Sequence, residues 1–410
     1  MTVTQRAREE HAAPRDDAER ARIRDGVVYC LKVFVGVRLG LALLALVGLG
    51  LIPHDISPVS VPGWAAPGFD HGWHDLFTVW ERFDGLWFLR IATGGYVSGD
   101  GSAAFYPLYP LLIRMVSPIL GGHPFAASLV VSNACFAGSL MALYFLTAGE
   151  FSEGVARKAV LYLALFPTAF FFLAPYSESP FLLVTLGAFW GARRGKWWVA
   201  GLCGALASAT RNVGILMVPT LGIEAVHQWY ESGGPDRWRR LASRLAWSAS
   251  ASLGVIAYLV YWRVKVGDLL APVHQQVNWE REASYPWHTL YLATKFAFTG
   301  GQVGSYPGGY FQVDWLVTIP CIRLALFALY RFRLAFGFYA AASILVPLCF
   351  IFPGRPLLSV PRFLAVLFPI HWALADLAER GRIPHHLIVG VSAAGLGALT
   401  ILFVNWYYVF

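Results

Sequence analysis

Residues 27–52 read VVYCLKVFVGVRLGLALLALVGLGLI, an apolar run long enough to cross a lipid bilayer as a helix. The hydrocarbon core of a bilayer is about 30 Å thick and an α-helix rises about 1.5 Å per residue, so about 20 apolar residues span it. Further apolar runs lie at 125–148, 159–175, 181–192, 245–266, 315–330, 334–352, 363–377 and 386–404. The pattern predicts an all-α polytopic membrane protein.

The overall composition supports this class. Of the 410 residues, 57% are hydrophobic and only 14% are charged, which excludes an ordinary soluble globular protein. The formal net charge of +8 comes mostly from Lys and Arg in short loops between apolar runs, so it reflects membrane topology and not nucleic-acid binding. The five cysteines lie within apolar runs and lack metal-binding or redox spacing.

The distribution of Lys and Arg favours a cytosolic N-terminus, because cytoplasmic loops carry the excess of positive charge. This orientation requires residues 197–229 to enter the membrane and return, as two short helices at 197–209 and 213–228 that meet at Thr210-Arg211-Asn212. The sequence then predicts about eleven spans in one domain over 27–410. Residues 1–26 have balanced charges and no apolar run, which predicts a disordered cytosolic tail.

Two long segments, 53–124 and 267–314, lie outside the membrane in this topology. They are too long to be simple connectors. The second is rich in aromatic residues, which suit both the membrane interface and stacking on sugar faces. The membrane-interface interpretation alone accounts for most of these aromatic residues.

Asp84, in the first external segment, is the first candidate for chemistry. If residues 73–91 are helical, the carboxylate lies in the middle of an apolar stripe formed by Trp73, Leu76, Phe77, Trp80, Phe83, Trp87 and Ile91. An unpaired charge in such a place costs free energy unless a polar group meets it. A helix break at Gly85 would weaken this argument.

Arg211 lies at the tip of the predicted re-entrant pair. An arginine at the bilayer centre costs about 2.5 to 3.5 kcal/mol on insertion scales, so this position implies a partner. The planar guanidinium suits a phosphate diester, and a structural pair with Glu178 is the alternative. Glu178 itself, within Ser-Glu-Ser-Pro, is explained by capping at the start of a helix.

Arg362 begins a predicted helix, where its charge opposes the helix dipole and suggests an anionic partner. Snorkelling of the side chain to lipid headgroups is the alternative. The stretch Asp70-His-Gly-Trp-His-Asp75 has ligand-type residues at metal-like spacing but no third distant ligand. We therefore favour a solvated loop there over a metal site, and expect no cofactor.

Several segments together resemble the PIG-V family. The matching segments are 82–92, which contains Arg82-Phe-Asp84-Gly, then Gly95-Tyr96 and 104–114, and further along the chain 166–179, 201–211, 276–281 and 361–363. That family contains the second mannosyltransferase of glycosylphosphatidylinositol anchor assembly and its bacterial relatives. The resemblance implies the GT-C glycosyltransferase architecture.

For this chain the resemblance implies an enzyme that moves mannose from a polyprenyl-phosphate donor to a lipid or glycan acceptor. The expected location is the outer face of a bacterial plasma membrane. Asp84 is the expected general base of an inverting transfer, Arg211 and Arg362 are expected to bind the donor phosphate, and no metal is required. Further contacts with substrate are expected from Trp87, Tyr109, Tyr176, Glu178, Gln276, Trp279 and Arg281.

A transporter or flippase for lipid-linked sugars is the competing interpretation. Buried charges and aromatic loops fit it too, but such proteins contain inverted repeats or paired broken helices in two halves. The sequence has one re-entrant pair and no matching second, which favours the enzyme. The acceptor and any partner subunit are not indicated by the sequence.

Overall fold

A computed structural model of the chain describes residues 3–53, 56–69, 72–299 and 307–409. These residues form eighteen α-helices and one two-stranded sheet. The first half contains α1 (Val3–Leu51), α2 (Asp75–Thr78), α3 (Asp84–Gly94), α4 (Leu108–Val116), α5 (Pro124–Glu150), α6 (Glu153–Ala164), α7 (Glu178–Arg193), α8 (Trp197–Thr210) and α9 (Met217–Glu231).

The second half contains the remaining helices and the sheet. They are α10 (Arg237–Ser250), α11 (Leu253–Val266), α12 (Ala271–His274), β1 (Glu282–Ala283), α13 (Pro286–Thr299), α14 (Gly308–Arg331), α15 (Leu334–Leu348), β2 (Phe350–Ile351), α16 (Val360–Ala365), α17 (Phe368–Glu379) and α18 (His385–Val404).

Four helices among the described residues are long and apolar enough to cross a membrane. They are Glu19–Leu51 within α1, then α5, α14 and α18. The pair α10 and α11, bent by 40° at its break, adds a fifth if it forms one span. The α-helical membrane class predicted from the sequence is confirmed, and the count of about eleven spans stays a prediction.

Besides 245–266, which breaks between α10 and α11, two predicted spans are interrupted near a proline in the structure. α6 ends at Ala164, before Pro167, so 159–175 is not a continuous helix. Within 363–377, α16 ends at Ala365 and α17 begins at Phe368, with Pro369 in its first turn. Proline lacks a backbone N–H and disfavours helix at the residue before it, which explains both breaks.

α1 begins at Val3, inside the stretch 1–26 for which the sequence predicts a disordered tail. The structure therefore differs from that prediction. This stretch is rich in Ala, Arg and Glu, which have high helix propensity, and it leads directly into the apolar part of the same helix. Met1 and Thr2 lie outside the described residues.

The continuous helix predicted over 73–91 is also wrong. α2 covers only Asp75–Thr78, and the chain breaks at Phe83, whose φ of 51° and ψ of −120° are not helical. Trp73 is 67% exposed whereas Trp80 is fully buried, so the apolar residues do not share one face. α3 then begins at Asp84 itself, and Gly85 lies inside the helix.

The helix pair predicted around Arg211 is confirmed. α8 ends where Arg211 becomes extended, with φ −152° and ψ 150°, and a 3₁₀ turn over Asn212–Leu216 leads into α9. In this turn, a Cβ on Gly214 would lie 2.2 Å from the Ala207 carbonyl oxygen. The turn therefore packs backbone against backbone, and this contact fixes the position of Arg211.

We expect Gly214→Ala to destabilise the protein by about 1 to 3 kcal/mol, because the added methyl group overlaps the backbone of α8. Thermal unfolding in detergent measures the effect. Gly222→Ala in α9 is the control, since its Cβ would meet only Ser248 Oγ, at an ordinary 3.6 Å. Equal unfolding midpoints for the two variants would contradict the prediction.

The short sheet connects the second long segment to the stretch that precedes Arg362. β1 pairs with β2 in antiparallel fashion, with Glu282 opposite Ile351 and Ala283 opposite Phe350. The sheet therefore holds the 272–281 segment beside the chain between α15 and α16.

Candidate active site

A cavity of about 530 Å³ lies where the start of α3, the tip between α8 and α9, the 272–281 segment and the chain before α16 meet. Its walls combine charged and aromatic side chains. They include Asp84, Phe105, Tyr106, Tyr176, Ser177, Glu178, Arg211, Asn212, Gln276, Asn278, Trp279, Glu280, Arg281, Ser359, Arg362, Phe363 and Tyr408.

Asp84 and Arg362 form an ion pair in this cavity. Arg362 Nη1 donates a hydrogen bond of 2.7 Å to Asp84 Oδ2. The carboxylate side chain is 19% exposed and the guanidinium side chain 10%. Because Asp84 is the first residue of α3, the break at Phe83 determines where this carboxylate points. The anionic partner predicted for Arg362 is thus a carboxylate of the chain itself.

Glu178 lies between the two arginines. Its Oε1 is 2.7 Å from Arg211 Nη1 and 3.2 Å from Arg362 Nε, and its side chain is only 1% exposed. Neither contact has hydrogen-bond geometry, so charge attraction carries both. The alternative of an Arg211–Glu178 pair is therefore correct. The capping explanation is weaker, because the side chain of Ser177 makes no capping bond.

The faces of aromatic rings contact both guanidinium groups. Arg211 lies 4.7 Å from the centre of the Phe363 ring, and Arg362 lies 5.2 Å from the same ring and 5.4 Å from that of Tyr176. The negative face of a ring attracts a cation without using its N–H donors. These contacts orient the arginines and leave their hydrogen-bonding capacity to anions.

The formal charges of the two arginines, Arg211 and Arg362, and the two carboxylates, Asp84 and Glu178, sum to zero. Although burial lowers the pKa of Arg362, Asp84 and Glu178 hold that pKa well above its ordinary value. The guanidinium therefore stays charged. Two converging arginines can bind an anionic oxygen, and a carboxylate beside them can accept a proton.

Five of the seven predicted substrate contacts line the cavity: Tyr176, Glu178, Gln276, Trp279 and Arg281. Trp87 and Tyr109 do not, and these two predictions are corrected. The Tyr109 ring is fully buried, and its hydroxyl lies 2.7 Å from Ser132 Oγ. The Trp87 ring stacks on Phe105 at 5.6 Å, behind the wall. Both are packing residues: Tyr109 packs against α5, and Trp87 packs against Phe105 and Trp279.

The 272–281 segment closes one side of the cavity through bonds to neighbouring backbone. Trp279 Nε1 donates to the Gly101 carbonyl at 3.2 Å, which connects the second predicted external segment to the first. Arg281 Nη2 donates to the Leu358 carbonyl at 3.2 Å, close to Arg362 in the chain. These bonds make the two predicted external segments parts of one wall.

Sequence reasoning missed Tyr408, Asn212 and Ser359 as cavity residues. Asn212 adjoins Arg211, so the predicted tip contained a signal for it. Tyr408 follows α18 and lies more than 300 residues from Asp84 in the chain, and the aromatic run 406–408 was its only signal. No local pattern indicates such a contact.

Within the part of the chain that the structure describes, no three His, Cys, Asp or Glu side chains are grouped to hold a metal ion. Asp70 and His71, from the weighed metal motif, lie outside the described residues. The absence of a metal therefore stays an expectation.

Comparison with known proteins identifies the family of this chain. The family model described as Mannosyltransferase (PIG-V) matches residues 27–261, more than half of the chain. The chain belongs to the PIG-V mannosyltransferase family. The match contains Asp84, Glu178 and Arg211 and ends before Arg362.

Curated relatives are mannosyltransferases by name. The GPI alpha-1,6-mannosyltransferase 2 of Rattus norvegicus is 31% identical over 200 residues, which cover 46% of this chain and 40% of that protein. The protein of the same name from Homo sapiens is 28% identical over 204 residues, 46% of this chain and 40% of its own. The matched stretch thus spans about two fifths of these relatives.

A solved structure shows the fold. This PIG-V member is similar to ArnT from Cupriavidus metallidurans, solved with bound undecaprenyl phosphate. The similarity covers 92% of the present chain and 76% of the ArnT chain, with a TM-score of 0.50 and 15% identity. The expected GT-C glycosyltransferase fold is thereby confirmed. With its apolar helices, the chain is an integral membrane protein.

Proposed function

We propose that this PIG-V family member transfers mannose from a polyprenyl-phosphate donor to a lipid or glycan acceptor. The observation that carries the proposal is the 2.7 Å contact between Asp84 and Arg362, in a cavity that Arg211 also lines. The family match supports the sugar, and the ArnT structure with undecaprenyl phosphate supports the carrier. The proposal puts the cavity on the outer face of a bacterial plasma membrane.

The proposed reaction is a single displacement. The acceptor hydroxyl oxygen attacks the anomeric carbon, the bond from that carbon to the phosphate oxygen breaks, and the hydroxyl proton goes to Asp84. The products are the mannosylated acceptor and polyprenyl phosphate. One displacement inverts the anomeric centre, so a β-linked donor gives an α-linked product.

The two arginines act on the leaving group. Negative charge grows on the lipid phosphate as the bond breaks, and Arg211 and Arg362 stabilise that charge more in the transition state than in the ground state. Glu178 holds the two arginines together, because its Oε1 attracts both guanidinium groups. These side chains supply positive charge without a metal.

Donor binding also prepares the base. Arg362 Nη1 donates a hydrogen bond to Asp84. A phosphate diester that takes over this N–H group releases the carboxylate, which is then able to accept the proton of the acceptor. The donor is therefore expected to bind first.

We expect Arg211→Ala to weaken donor binding by about 10- to 150-fold, the factor that corresponds to a hydrogen bond with a charged group. Equilibrium binding of labelled polyprenyl-phosphate mannose in detergent measures this. Arg114→Ala, at an exposed position of α4 outside the cavity, is the control. Unchanged affinity would leave Arg211 with only its structural pair.

One assay distinguishes the proposed transferase from the alternative, a transporter of lipid-linked sugars. Purified protein in detergent receives labelled polyprenyl-phosphate mannose and candidate acceptors. Transfer of label needs no second compartment, whereas transport does. Labelled acceptor would support the enzyme, and transport of the labelled lipid in vesicles without any transfer would reject it.

A further inference from the structure

The chain turns back after α18 and enters the cavity. Trp406 has a φ of 65°, and the Tyr407 N–H donates to the Leu402 carbonyl at 3.1 Å, which reverses the direction of the backbone. Tyr408 then lines the cavity that contains Asp84. Residues 405–409 form the return segment.

One buried arginine holds the return segment in place. Arg355, fully buried between β2 and α16, makes two bonds to Asp314 of α14, at 2.6 Å from Nε and 2.8 Å from Nη2. Its Nη1 donates to the Tyr408 carbonyl at 3.1 Å and its Nη2 to that of Val409 at 2.6 Å. Arg355, Asp314 and these two carbonyls form the Arg355 clamp.

The return segment in turn packs around Phe83. The Phe83 ring lies 5.1 Å from that of Tyr408, 5.3 Å from that of Trp406 and 5.7 Å from that of Phe403. Phe83 has a positive φ, a conformation that bulky residues rarely adopt and that persists only where the surroundings hold it. The next residue is Asp84.

Arg82 adds a second connection to the same region. Its Nε donates to the Val404 carbonyl at 3.3 Å, and its guanidinium lies 4.5 Å from the Trp406 ring. Both residues before Asp84 are therefore held by the end of α18 and the return segment. A displacement of this segment would change the direction of the Asp84 carboxylate.

We propose that the Arg355 clamp positions the catalytic carboxylate, an inference that rests on the proposed role of Asp84. The clamp fixes the return segment, the segment fixes Phe83, and Phe83 sets the start of α3 that aims Asp84 at Arg362. Arg355 and Asp314 are positioning residues, since neither lines the cavity. A buried ion pair adds little net stability because desolvation offsets its attraction, so holding geometry is the better explanation.

Asp314→Asn tests the proposal through two readouts. Transfer kinetics should show kcat lowered by about 10- to 100-fold, the effect of a small misplacement of a reacting group. The donor KM should not rise, because Arg211 and Arg362 both keep the attraction of Glu178. Hydrogen exchange should become faster at the Gly85 and Leu86 amides, which are bonded at 3.0 Å to the Arg82 and Phe83 carbonyls.

Glu224→Gln is the matched control. Glu224 is also a buried carboxylate, 3.0 Å from Arg193 and 3.5 Å from Arg333, and it lies outside the cavity. This variant loses a buried charge but should keep kcat and the exchange at Gly85 and Leu86. If Asp314→Asn behaves like Glu224→Gln in both readouts, the proposal is overturned.

A second variant keeps the test valid if Asp314→Asn does not fold. Tyr408→Leu retains the ion pair and removes the ring contact with Phe83, so the same faster exchange is expected; unchanged exchange would overturn the proposal. Faster exchange in a protein that transfers no mannose even as wild type would support the clamp and reject the proposed function.

Discussion

Asp84→Asn should lower kcat for mannose transfer by about 10²- to 10⁴-fold, the contribution typical of a general base. The amide has nearly the size of the carboxylate but cannot take the acceptor proton. Arg362 keeps the attraction of Glu178, so the cavity should retain its shape. Initial rates with labelled polyprenyl-phosphate mannose and a saturating acceptor measure the loss.

Donor binding separates this chemical role from a structural one. In Asp84→Asn, Arg362 Nη1 loses its charged partner, so donor affinity should be equal to or tighter than that of wild type. Asp100→Asn is the control, because Asp100 forms a comparable pair with Arg90 of α3 at 2.5 Å but does not line the cavity. Retained turnover in Asp84→Asn would remove Asp84 from the mechanism.

The three main candidate residues could be predicted from the sequence. Asp84 and Arg211 are charged groups among apolar ones, which need partners, and the charge of Arg362 opposes the dipole of the helix that it begins. The structure shows that Asp84 pairs with Arg362 and that Glu178 joins Arg362 to Arg211. The pairing itself could not be predicted. Asp84 and Arg362 are 278 residues apart, and only the tertiary fold brings them together.

Asp84 lines the cavity, although the continuous helical stripe predicted around it does not form. The apolar residues around it suggested one helical stripe, but several of them pack inside a loop that breaks at Phe83. Periodicity cannot separate these cases, because buried loops and helices both need apolar side chains. The positions of Trp87 and Tyr109 were wrongly predicted for a related reason. A motif does not show whether an aromatic side chain lines the cavity or packs behind the residues that line it.

The positions of helix breaks were better predicted from the charge distribution than from hydropathy. The balance of Lys and Arg required a turn near Arg211, and α8 ends there. Apolar runs at 159–175 and 363–377 looked continuous, although Pro167 and Pro369 interrupt them. The return segment and Arg355 could not be predicted, since long-range packing alone places them.

Arg362→Gln should lower kcat/KM by about 10²- to 10³-fold, the cost typical of removing one group that stabilises charge in a transition state. The glutamine cannot offset the charge that grows on the leaving phosphate. It also leaves Asp84 without its ion-pair partner. Arg362→Lys should recover only part of the rate, because a single ammonium cannot contact Asp84 and Glu178 with the fork of a guanidinium.

Combining variants tests whether Arg362 and Asp84 act in one step. If both serve the same displacement, Asp84→Asn with Arg362→Gln should be little slower than the worse single variant, since groups that act as a unit are not additive. Arg90→Gln controls for the loss of an ion-paired arginine outside the cavity. Fully multiplicative losses would mean that the two residues act independently, and wild-type rates in Arg362→Gln would exclude a role in stabilising the leaving phosphate.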